Sequence, residues 1–163
     1  MITRKILAIA VLSVCFGCEN SLRNHIIDSV DKSYLANPEL KCKVSLKTMT
    51  PFQWDKLYFF NAWTTSDSIG RTIKYNYKGN DVKDDYVRML FTLENRVVYE
   101  EDFKPFDYSQ STIDFSEIPD SLMKAKLPFL TPKNSMFVVS KEKTKDGCKD
   151  CFDYSFYLRK APH

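Results

Sequence analysis

The stretch from Tyr86 to Phe103 constrains this chain most. Val87, Met89, Phe91 and Leu93 recur every second residue, and Val97, Tyr99 and Phe103 face the same way on the return. Period two marks a strand, because successive side chains point to opposite faces of a sheet. Two such runs joined by a few polar residues make a hairpin. A three-residue loop, Glu94-Asn95-Arg96, pairs Leu93 with Val97 and Phe91 with Tyr99, and sets both apolar rows on one face. A two-residue loop would set them on opposite faces. The three-residue loop is therefore expected.

Other segments extend the pattern. Leu40, Cys42, Val44 and Leu46 alternate with Lys41, Lys43, Ser45 and Lys47, which predicts a half-buried strand over Leu40 to Met49. From Leu57 to Phe60 both faces are apolar, so a central strand covered on both sides is expected. Met136 to Glu142 and Phe152 to Arg159 read as two further strands around a polar loop, with Phe152, Tyr154, Phe156 and Leu158 inward. Leu22, Ile26, Ile27, Val30, Tyr34 and Leu35 recur at helical spacing, and Asn37-Pro38 stops that helix. Thr64 to Asp67 offers a cap for a short helix through about Ile73. Gly79-Asn80-Asp81 marks a turn. Lys104 to Pro132 reads as irregular, with one or two helical turns after Pro119. The sum is an α+β fold over residues 22–163: an N-terminal helix plus an antiparallel sheet of about five strands.

The chain opens MITRKILAIAVLSVCFGC. Arg4 and Lys5 precede an apolar run, Ile6 to Phe16, broken only by Ser13. A membrane span needs about 20 apolar residues, so this run is too short. It suits the apolar region of a signal peptide. Val14-Cys15-Phe16-Gly17-Cys18 resembles the lipobox of bacterial lipoproteins. That resemblance implies a diacylglyceryl group on Cys18, removal of residues 1–17, and a lipid-anchored tether over residues 18–21. Cys15 stands where the family prefers leucine. Leu12-Ser13-Val14-Cys15 is the rival register, and a signal peptide without lipid is the other alternative. Glu19 is not the aspartate that retains many such proteins at the inner membrane, which implies the periplasmic face of the outer membrane.

Loss of residues 1–17 would remove two of the 24 basic residues and none of the 21 acidic ones, leaving the chain close to neutral. A nucleic-acid partner calls for a strongly basic face and is not expected. Aromatic residues at 14% describe a globular chain rather than a disordered one. With four glycines and no phosphate-cradling loop, no cofactor is expected. Cys42, Cys148 and Cys151 follow the tether. The pair in Gly147-Cys148-Lys149-Asp150-Cys151 sits in a charged turn rather than between strand and helix, which speaks against a redox site. Only His25 and His163 could complete a zinc site, so no metal is expected. A structural disulfide between Cys148 and Cys151 is the expectation, with Cys42 joined to either as the alternative.

Catalytic signals are sparse. His25 falls on the first helix and reads as solvated. Glu100 and Glu101 are strand neighbours on opposite faces and cannot act together across a cleft. Glu101 alone points inward in the hairpin register. Asp81, Asp84 and Asp85 lack calcium-loop spacing and read as a solvated loop. Lys141, Lys143, Lys145 and Lys149 read as a solvated loop or an approach to anionic headgroups. Tyr58 to Phe60 are core candidates, whereas Trp63, past the strand's end, is the candidate exposed aromatic for binding.

Phe-Gln-Trp-Asp-Lys-Leu-Tyr-Phe-Phe, from Phe52, with the following Thr/Ser-rich turn, also resembles a segment of small exported or lipid-anchored bacterial proteins. The resemblance implies a strand followed by a capped helix and carries no catalytic residue. Ala62-Trp63 departs from its Pro-Tyr. Together these readings give a non-catalytic, membrane-tethered protein that binds another protein, one form being an immunity protein against an envelope-targeting toxin. The alternatives are an envelope assembly or maintenance lipoprotein and, last, a hydrolase using Glu101 or His25.

Overall fold

The computed structural model describes residues 21–36, 42–105, 110–124, 128–144 and 148–158. Its elements run α1 (Leu22–Ala36), β1 (Cys42–Ser45), α2 (Leu46–Met49), β2 (Lys56–Phe60), α3 (Ser66–Ile73), β3 (Val87–Leu93), β4 (Arg96–Phe103), β5 (Thr112–Asp114), α4 (Glu117–Lys124), β6 (Met136–Lys143) and β7 (Phe152–Leu158). The fold is α+β. The proposed signal peptide, Cys15 and Cys18 lie outside the described residues, as do Leu40, Lys145 and His163.

The strands form two sheets rather than one of five. β2, β3 and β4 make an antiparallel meander, and the second sheet has the order β1-β6-β7-β5. Its β5–β7 pair is parallel, so the fully antiparallel expectation is corrected. The two sheets share a core. Leu57, Phe59, Met89, Phe91 and Phe103 from the first meet Val44, Phe137, Val139, Tyr154 and Phe156 from the second. Leu22, Ile26 and Val30 of α1 and Ile118 and Leu122 of α4 join them. Leu35, which the helical spacing also marked as apolar, is 84% exposed.

The opposite face of the meander carries a second cluster. Tyr58, Phe60 and Leu90 pack there against Ile69 and Ile73 of α3 and against Val82. This explains why β2 is apolar on both faces. It is an edge strand, not a central one, and α3 covers its outer face. Its free edge holds one bridge, in which Leu57 and Leu130 exchange two N–H to C=O bonds of 2.8 Å. The central strand is β3, buried on both faces over six of its residues.

The hairpin turn differs from the expected one. Leu93 pairs with Arg96, so the loop is Glu94-Asn95, with φ of 51° and 62°. Both residues are left-handed, as a two-residue primed turn requires. A register shift between Phe91 and Thr92, opposite Val97 and Tyr99, restores the Phe91–Tyr99 pair. The apolar rows therefore share one face after all, through a bulge rather than a longer loop. Asp55 supports this glycine-free turn. Its carboxylate accepts from the Glu94 N–H at 2.9 Å and the Thr92 hydroxyl at 3.0 Å. Trp54 beside it donates from Nε1 to the Thr50 hydroxyl at 2.9 Å and packs edge-on against Phe91. The Trp-Asp pair is thus structural.

Two further boundaries move. β1 stops at Ser45, and Leu46 to Met49 form one helical turn with Leu46 and Met49 buried. α4 begins at Glu117, so Pro119 lies in its first turn, where a missing N–H has no helical partner to lose.

Candidate functional site

β2 ends at Phe60, and the chain then makes a tight turn. The Asn61 carbonyl accepts from the Thr64 N–H at 3.2 Å and the Thr64 hydroxyl at 2.7 Å. Trp63 takes the third position of this turn with φ of 65°. That position favours glycine, because a Cβ in the left-handed region costs about 1–2 kcal/mol. The side chain is nonetheless an indole, and Trp63 is 72% exposed. The conformation is held from both sides: Trp63 N–H donates to the Val82 carbonyl at 3.0 Å, and Val82 N–H donates to the Thr64 carbonyl at 2.9 Å. Strain kept by its surroundings around an exposed aromatic is a recurrent sign of function. The binding residue expected from the sequence is therefore exposed.

A shallow groove of about 310 Å³ adjoins the turn, lined by Phe59, Phe60, Asn61, Thr64, Pro119 and Leu122 with Pro128. The larger cleft, about 390 Å³, lies elsewhere, between Asp31, Tyr34, Leu35 and Lys141. Its charges are already engaged. Asp31 accepts from Lys141 Nζ at 2.7 Å and the Tyr154 hydroxyl at 2.8 Å, and the Lys141 ammonium sits 4.0 Å from the centre of the Phe152 ring. Lys141 is thus half-buried and occupied, unlike the solvated lysine expected. Lys143 and Lys149 are exposed.

The segment that meets Trp63 is itself fixed by a buried cluster. Arg88, directly opposite Asp102 across β3 and β4, binds it with Nε at 2.6 Å and Nη2 at 2.8 Å. Its Nη1 donates to the Asn80 carbonyl and to the Tyr77 hydroxyl, which in turn donates to Glu100 at 2.6 Å. These bonds draw the segment after α3 down onto the sheet. The hydrogen bonds to Asp102 favour the charged guanidinium, against burial, and hold its pKa up. Burial and the Glu100 acceptor raise the Tyr77 phenol. A Cβ at Gly79 would overlap the Tyr77 hydroxyl, so glycine is required there. Sequence reading passed over Arg88. Its signal was a cross-strand charge pair, visible only once the register is known.

Glu101 is inward and half-buried in a separate cleft of about 190 Å³ with Arg23, Tyr86, Asp102 and Lys104. Burial pushes its carboxyl above the usual range, against hydrogen bonds from the Tyr99 hydroxyl and from the backbone N–H groups of Arg23 and Leu22. The Tyr99 hydroxyl, 2.7 Å from Glu101, also accepts from the Leu22 N–H at 3.2 Å and is pushed up to about 12, chiefly by burial. Those N–H groups open α1, whose own first turn has no acid. Glu101 therefore caps a helix from a distant strand. His25 lies on α1, half-buried, and does not line the Glu101 cleft.

Cys148 and Cys151 form a disulfide, and Cys42 is free and buried. Burial raises the Cys42 thiol, against a hydrogen bond from Ser33. Asp81 accepts from the Ser66 N–H at 2.7 Å, capping α3 together with Thr65. Asp84 accepts from the Asp85 N–H at 2.9 Å. Among the described residues, no group of three His, Cys, Asp or Glu side chains could hold a metal, and no helix is long and apolar enough to cross a membrane. Comparison with protein-family models, with curated proteins and with solved structures finds no match for this chain.

Proposed function

We propose that this protein is a non-catalytic, lipid-anchored protein of the periplasmic face of the outer membrane that binds another protein through Trp63. An immunity protein against an envelope-targeting toxin is the concrete form. The observation that carries the reading is the exposed indole held at φ of 65°. Aromatic anchors of this kind dominate protein interfaces, because they bury much area for few rotatable bonds. The tether reading rests on the lipobox resemblance at Cys18, and the disulfide suits an oxidising compartment. Glu101 supports no hydrolytic reading, since its carboxylate already caps α1.

Affinity capture from the native host tests this, with the full-length protein tagged at its C-terminus. One stoichiometric partner retained by the wild type and lost with Trp63→Ala supports the proposal. Equal capture by both, or only envelope-assembly proteins, overturns it. Palmitate labelling tests the anchor: Cys18→Ser should abolish it, and persistent labelling would move the site to Cys15.

A further inference from the structure

We infer that the Trp63 surface receives a cationic side chain, arginine or lysine, from a basic face of the partner. This rests on the protein-binding reading above and adds the partner's chemistry to it. The groove beside Trp63 offers little bare apolar area, because Phe59 and Phe60 are themselves buried. The indole is the large exposed surface. Its surroundings are acidic. The Trp63–Val82 and Val82–Thr64 hydrogen bonds bring residues 81–85 beside the 61–67 segment. Asp67, Asp81, Asp84 and Asp85 lie there, all exposed, against the single lysine Lys83. The chain as a whole carries more basic than acidic residues, 24 to 21, so this patch departs locally in sign.

An aromatic face and carboxylates favour the same occupant. The ring's negative face attracts a cation, and the carboxylates add charge and hydrogen-bond acceptors. Asp81 is engaged by one N–H of α3 and Asp84 by one N–H of Asp85. A carboxylate has about four acceptor sites, so both retain capacity. The same charges disfavour an anionic bilayer as the surface that Trp63 meets.

The test follows the indole Nε1–H resonances of the 15N-labelled full-length protein in a neutral detergent. The chain has two tryptophans, and buried Trp54 serves as the internal control. The probe is a short Arg-Gly repeat peptide, with a Glu-Gly repeat as its counterpart. The inference expects the Arg-Gly peptide alone to shift Trp63 saturably and leave Trp54 in place. Asp67→Asn, Asp84→Asn and Asp85→Asn together should weaken that binding about tenfold, the scale of a partly desolvated cation–π contact. Asn tolerates the left-handed backbone of Asp85, and Asp81 is left intact as a cap of α3. No shift, an equal shift with Glu-Gly, or a shift only on adding phosphatidylcholine vesicles overturns the inference. The capture experiment separates the two claims. A partner lost with Trp63→Ala alongside a silent Arg-Gly titration refutes the cation and leaves protein binding standing.

Discussion

Arg88→Met probes the bond between fold and site. Methionine approximates the length of the arginine and removes all its donors. Arg88 is 6% exposed and Asp102 22% in their side chains, so the pair is mostly dry. The variant leaves Asp102 without its cation and frees the Asn80 carbonyl and Tyr77 hydroxyl. Breaking a buried pair from one side costs about 3–5 kcal/mol. Asp102 retains some water, so about 3 kcal/mol is expected, a large share of a typical total of about 5–15 kcal/mol. Urea unfolding followed by the fluorescence of buried Trp54 reads the change. With a slope of about 2 kcal/mol per molar, the midpoint should fall by about 1.5 M. Arg88→Met with Asp102→Leu removes both charges and should recover most of the loss. A midpoint shift below about 0.3 M for the single variant, or a double variant no better than the single, would refute the reasoning.

Trp63 offers a test by sign. In ordinary backbone alanine exceeds glycine in stability by about 0.4–1 kcal/mol. At φ of 65° the Cβ costs about 1–2 kcal/mol, so Trp63→Gly should exceed Trp63→Ala by roughly 0.5–1 kcal/mol in urea unfolding. Alanine above glycine would show that the turn is not left-handed. Glu101 has a folded pKa raised above its ordinary 4.5. Its contribution is full below that value and is lost as pH rises through the folded pKa. Melting curves across acid and neutral pH should therefore show the wild-type advantage over Glu101→Gln shrinking as pH rises, and a gap independent of pH would count against the cap. Replacing Cys148 and Cys151 by serine opens a very short loop and should cost about 2 kcal/mol, read by urea unfolding with and without reductant.

Much of the local structure is legible in the residue order. The Thr65 cap of α3, the hairpin face and the inward Glu101 all follow from period and side-chain chemistry. Trp63 stands out because it lies beyond the doubly apolar run of β2. What escapes depends on distant partners. β2 reads as central because α3 hides its outer face, which resembles flanking by sheet. β1 reads too long because Leu46 and Met49 suit one helical turn as well as a strand continuation. The turn at Glu94-Asn95 carries no glycine, so its left-handed geometry has no local sign and relies on Asp55, thirty-nine positions earlier. β5 is three residues long and pairs only with a strand far downstream. The capping role of Glu101 requires α1 to arrive from the other end of the fold.

The strand order has a temporal consequence. β2, β3 and β4 are consecutive, so their meander closes through short loops and can form early. The second sheet is built around β7, which holds β6 on one side and β5 on the other, and β1 must wait for β6. Until β7 emerges during synthesis, the meander has its inner row of Leu57, Phe59, Met89, Phe91 and Phe103 without the sheet that will cover it. The nascent chain therefore spends most of its elongation as a formed half with a sticky side. Interruption just before Phe152 should leave an aggregating species rather than a smaller soluble one.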